Sequence, residues 1–65
     1  MKKYDPMLRL KIKRIEKGLT QMELASRAGI RQNLLSCYET GASFPRRKVL
    51  DKLAAALECE VKDII

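Results

Sequence analysis

The chain is 65 residues long, with 14 Lys and Arg against 8 Asp and Glu, giving a formal charge of +6 with no histidine. That length makes one domain around one small core, and no apolar run approaches the roughly 20 residues that span a bilayer. The two cysteines, Cys37 and Cys59, have no spaced partners, which excludes a zinc site or disulfide scaffold and fits a reducing cytoplasm.

The start, Met1 to Pro6, has basic residues but no apolar stretch behind it, so it does not read as a signal peptide. No linker, low-complexity tract or internal repeat divides the chain, and residues 1–65 read as a single domain. The positive surplus suits either a polyanionic partner or simple solubility. Its placement is informative, because residues 1–17 hold seven basic and two acidic side chains.

Asp5-Pro6 is a helix-start signal, and the first helix is expected to run to about Lys17, where Gly18 stops it. Its apolar residues form no single stripe. Leu8, Ile12 and Ile15 lie on one side, with Met7, Leu10 and Arg14 on another. The helix is therefore either largely covered or left with a spare apolar patch. Leu19 is a staple-like residue before Thr20, which with Glu23 forms a T-x-x-E capping box. Leu24, Ala25 and Ala28 then share one face, and Gly29 stops the second helix. Only Ile30 and Arg31 precede the third helix, which turns Leu35 and Tyr38 inward and ends at Gly41. So short a turn forces a close helix crossing, and Ala25 is the small residue that permits it.

The loop Ala42-Ser43-Phe44-Pro45 follows, with Phe44 expected to plug the core. A fourth helix is expected from about Arg46 to Leu57, because Val49, Leu50, Leu53, Ala54 and Leu57 recur at helical spacing. Glu58-Cys59 breaks it. Glu60 is placed to cap a final turn from Val61 to Ile65. The sum is an all-α, compact five-helix domain.

The residues Gln21, Leu24, Ala25, Ala28, Gly29, Ile30, Leu35, Tyr38, Glu39 and Gly41 carry a resemblance to the helix-turn-helix of the phage-repressor, or Cro/Xre-like, DNA-binding family. The flanking Gly18 to Gln21 matches too, as does Pro45 before an apolar-periodic helix. The resemblance covers residues 8–64 and implies a lambda-repressor-like fold with the helix-turn-helix in helices two and three. It also implies a buried structural ion pair between Arg14 and Glu39.

A helix that reads the major groove needs short polar groups on its outward face near its N-terminus. Gln32 and Asn33 suit this, since a side-chain amide can bind adenine N6 and N7 together. Ser36 lies one turn on, and Cys37 completes the expected base-contacting set, although the family more often has a long polar side chain there. Gln21 is the family's phosphate clamp at the start of the second helix. Thr40, Ser43 and Arg31 are the further expected phosphate contacts. Arg46, Arg47 and Lys48 are either additional charges for DNA or a solvated helix start. Three positions depart from the family pattern. Arg31 stands at the usual Ser/Thr cap, Tyr38 replaces a smaller core residue, and Leu34 either touches a thymine methyl or is buried.

These readings imply a sequence-specific regulator of transcription, expected to be a repressor, that binds double-stranded DNA as a homodimer on a near-palindromic operator. Leu57, Val61, Ile64 and Ile65 are the candidate dimer interface, or else they close the bottom of the core. The rival reading is the antitoxin of a toxin pair, with a protein partner as well as DNA. An enzyme is disfavoured by the lack of histidine, clustered acids and phosphate-loop glycines. No cofactor, metal or membrane partner is expected.

Overall fold

The computed structural model describes residues 3–65. Met1 and Lys2, the first two positions of the expected single domain, lie outside them. The chain forms α1 (Leu8–Glu16), α2 (Gln21–Ala28), α3 (Gln32–Thr40) and α4 (Arg47–Ala56). A single 3-10 turn, Val61–Asp63, follows. The described residues therefore contain four α-helices, not the five expected. The last segment is held by i→i+3 bonds, Asp63 N–H to the Glu60 carbonyl at 2.9 Å and Ile64 N–H to the Val61 carbonyl at 3.0 Å. Bonds of this i→i+3 type make a 3-10 turn rather than an α-helix.

The core is aliphatic. Leu10, Leu24, Leu35, Leu53, Leu57 and Ile64 are fully buried, joined by Met7, Leu19, Ala25, Ala28, Tyr38, Leu50 and Ala54. Each such leucine contributes about 1.5–3 kcal/mol of burial free energy. α2 is central, because it packs on both α3 and α4, while α1 packs on α3 and on the 3-10 turn. Leu57 and Ile64 are thus core residues, which corrects their assignment to a dimer interface. Of that set, Val61 is half-buried and only Ile65 is exposed.

The start of α1 also differs from expectation. Asp5-Pro6 does not open the helix, because the segment around it is tied by backbone hydrogen bonds to the end of α3. Lys3 N–H and Tyr4 N–H both donate to the Gly41 carbonyl, at 3.0 and 2.9 Å, and Met7 N–H donates to the Tyr38 carbonyl at 3.3 Å. Met7 takes the N-cap position with no side-chain cap. Met7 and Leu10 then face the core. Leu8, Ile12 and Ile15 remain 60%, 53% and 57% exposed, so the helix carries a spare apolar patch.

Phe44 does not plug the core. It is 44% exposed and packs at a tilt against Tyr4, with ring centroids 6.0 Å apart. Pro45 is the buried residue of that loop.

Candidate nucleic-acid interface

The turn between α2 and α3 is fixed at both ends by local chemistry. Thr20 accepts from Glu23 N–H at 3.1 Å, and the Glu23 carboxylate accepts from Thr20 N–H at 2.9 Å. These two bonds hold the Glu23 carboxyl below its ordinary pKa. At the other end Gly29 is left-handed at φ 70. Ile30 N–H reaches the Ala25 carbonyl at 2.9 Å and Gly29 N–H reaches that of Ser26 at 3.2 Å, a Schellman stop. Arg31 then starts α3 without any side-chain cap.

Beneath this turn lies a buried polar cluster. Arg14 donates from Nε to Glu39 Oε2 at 2.8 Å and from Nη2 to Oε1 at 3.2 Å. Its Nη1 donates to the Leu19 carbonyl at 2.8 Å. Gln21 Nε2 also donates to Glu39 Oε1, at 3.0 Å. One carboxylate on α3 therefore holds α1 and the first residue of α2 together. Sequence reasoning paired Arg14 with Glu39 through the family resemblance, but missed the bond from Gln21. No spacing rule pointed to it, since the two residues sit on different helices.

With Leu35, Tyr38 and Glu39 turned inward, burial raises the Tyr38 hydroxyl above its usual pKa. The opposite side of α3 presents the candidate reading residues. Gln32 and Asn33 are exposed, and Ser36 and Cys37 are half-buried. Leu34 is exposed rather than buried. It lines an open groove together with Ile30, Arg31, Asn33 and Cys37.

The four candidate phosphate contacts are in different states. Arg31 is exposed and free of ion pairs among the described residues. Gln21 is half-buried, and one amide proton is committed to Glu39. Thr40 Oγ1 donates back to the carbonyls of Ser36 at 3.0 Å and Cys37 at 3.3 Å, so its proton is held within the helix. Ser43 is half-buried where the loop leaves α3, its N–H bonded to the Cys37 carbonyl at 3.2 Å. Nearby, Arg46 and Lys48 are exposed, while Arg47 is paired with Asp51 at 3.1 Å.

Among the described residues no helix is long and apolar enough to cross a membrane. No cluster of three His, Cys, Asp or Glu side chains gathers in them either.

Comparison with known proteins agrees with this geometry. A family model described as helix-turn-helix matches residues 10–64. The chain is 39% identical over 49 residues to multiprotein-bridging factor 1 of Candida albicans, covering 75% of this chain and 32% of that protein. It is 33% identical over 63 residues to the same factor from Eremothecium gossypii, covering 94% of this chain and 41% of that one. The chain thus spans well under half the length of these relatives. Among solved structures it resembles the restriction-modification controller protein C.AhdI from Aeromonas hydrophila. The TM-score is 0.84 at 32% identity, covering 88% of this chain and 86% of that one. The chain belongs to the Cro/Xre-like helix-turn-helix family of DNA-binding regulators.

Proposed function

We propose that this domain binds a specific double-stranded DNA sequence as a homodimer on a near-palindromic operator and represses transcription there. The observation that carries this is the exposed Gln32-Asn33 pair at the open end of α3, on a helix whose other side is pinned by Arg14 and Gln21. Rigid mounting matters because an amide must meet adenine N6 and N7 together to discriminate bases. Ser36 and Cys37 extend the reading surface along the helix, and the groove beside Leu34 suits a thymine methyl.

Phosphates would be met by Arg31, by Ser43 and by the start of α2. There the N–H groups of Gln21 and Met22 have no intrahelical acceptor, and Gln21 keeps a second amide proton. Thr40 takes part only by giving up its bonds to the helix carbonyls. The size of the domain supports two copies on a two-half-site operator. The domain measures 29 Å along its longest axis, whereas half-sites lie about 34–36 Å apart.

The experiment is a gel-shift titration on selected and scrambled duplexes across salt concentrations. Each neutralised phosphate releases counterion, so log affinity should fall linearly with log salt, with a slope near −0.9 per phosphate contact. Affinity that stays flat between low and moderate salt would refute the proposal.

A further inference from the structure

The surface that α3 offers to DNA is not polar throughout. Ile30 and Leu34 are four residues apart and Cys37 is three further on, so the three share one side of α3 and of the turn before it. Leu34 is 37% exposed, and Ile30 and Cys37 are half-buried. The same groove is lined by Arg31 and Asn33. Arg31, Asn33 and Cys37 all belong to the residues expected to meet DNA. The groove is therefore continuous with the reading surface. Leu34 lies about 100° around the helix from Asn33, on the side away from Gln32 and Ser36.

The chemistry of the major groove selects what fills this one. Base edges there present nitrogen and oxygen donors and acceptors and a single kind of apolar group, the C5 methyl of thymine. Leu34 set against a base amine or carbonyl would strip it of water without replacing the hydrogen bond, which costs affinity. Set against a C5 methyl, the same side chain removes two apolar surfaces from water. Cytosine carries only hydrogen at C5, whereas 5-methylcytosine carries its methyl group where thymine does. A contact made by burial of the methyl alone is the same for both methylated bases.

We propose that the groove of Ile30, Leu34 and Cys37 is a specificity site for the C5 methyl of a pyrimidine, so that the domain distinguishes 5-methylcytosine from cytosine at one position of each half-site. Leu34 makes the contact, and Ile30 and Cys37 form the walls. Asn33 at the rim reads the polar edge of an adjoining base, and Arg31 stays available to a phosphate. Cytosine methylation at that position then raises affinity, by about fourfold for one buried methyl group. This inference rests on the DNA-binding reading above and extends it to a modified base.

The test is equilibrium binding of the full chain to a duplex selected from random sequence, with single pyrimidines replaced by analogues. Deoxyuridine in place of each thymine in turn removes one methyl group and keeps every hydrogen bond. At one thymine in each half-site it should lower affinity about fourfold. With a C·G pair at that position, 5-methylcytosine should bind about fourfold better than cytosine. Leu34→Ala should abolish both effects and Leu34→Met should retain them, with thermal melts in parallel to show that the variants are folded. A selected duplex on which no thymine responds to loss of its methyl would overturn the inference. So would a methyl effect at thymine with none at cytosine, or one that is undiminished in Leu34→Ala. Each of these outcomes leaves the DNA-binding reading standing, whereas a wild type that shifts no duplex overturns both.

Discussion

Arg14 and Glu39 form a two-pronged ion pair, Nε to Oε2 at 2.8 Å and Nη2 to Oε1 at 3.2 Å, and it ties α1 to the recognition helix α3. Their side chains are only 11% and 3% exposed. Replacing one member leaves the other charged and buried. Arg14→Met should therefore cost about 3–5 kcal/mol, enough to unfold much of a domain this small. A Glu39→Gln variant retains bonding capacity and should cost less. Urea titrations of the two variants measure the order, and equal stability of Arg14→Met and wild type would show the pair to be dispensable.

Gly41 does two jobs, and Gly29 does one. Both have left-handed φ, but a Cβ on Gly29 would meet nothing, whereas a Cβ on Gly41 would run into the Tyr4 carbonyl oxygen and crowd Pro6 N. Gly29→Ala should cost about 1 kcal/mol from backbone strain alone. Gly41→Ala should cost clearly more and should release the segment from Lys3 to Pro6. Hydrogen exchange at Lys3 and Tyr4, whose N–H groups both bond Gly41, reports that release.

Much of this architecture is legible in the sequence, and the misses have physical causes. The Thr20–Glu23 box, the stop at Gly29 and the inward pair Leu35 and Tyr38 follow from local rules, and each stands where those rules put it. The failures lie where distant contacts override local signals. Asp5-Pro6 is a sound helix start in isolation, but hydrogen bonds to Gly41 and Tyr38 tie the segment to the end of α3 and the helix starts only at Leu8. Phe44 is the sort of residue that fills cores, yet Pro45 occupies that place and Phe44 lies outside against Tyr4. Ile64 and Ile65 are identical and adjacent, and only the folded chain separates the buried one from the exposed one. At the candidate site, the types and order of Gln32, Asn33 and Ser36 were readable, but the use of Gln21 and Thr40 within the fold was not.

Glu58 is the one non-glycine residue with positive φ among the described residues, at 55°. It occupies the stop of α4, where Cys59 N–H bonds the Ala54 carbonyl at 3.0 Å and Glu58 N–H that of Ala55 at 3.1 Å. Glycine is preferred at this position. Glu58→Gly should raise stability by roughly 0.5–1 kcal/mol, even with loss of the exposed contact to Lys17. A lower melting temperature for this variant would mean that the Lys17 contact outweighs the backbone strain.

The Glu23 carboxyl is held below its ordinary pKa by its bonds to Thr20. A carboxyl whose folded pKa is depressed contributes stability that is complete above the unfolded value, near 4.5, and is lost as pH falls through the lower folded value. Wild type should therefore lose more stability on acidification below about pH 4.5 than Glu23→Gln does. Above that pH the stability difference between the two should be constant. Parallel acid titrations that show the same loss in both proteins would remove the capping box from the pH dependence.

The assignment of roles on α3 and α2 is tested most directly by equilibrium binding of three proteins to two duplexes. The proteins are wild type, Asn33→Ala and Gln21→Ala, and the duplexes are one selected from random sequence and its scrambled counterpart. Asn33→Ala should lose about 1–3 kcal/mol on the selected duplex and little on the scrambled one, with preference relaxed at one base pair. Gln21→Ala should weaken both duplexes alike, as a phosphate contact does. Equal losses on the two duplexes for Asn33→Ala, or a wild type that binds both equally, would contradict sequence reading by this helix.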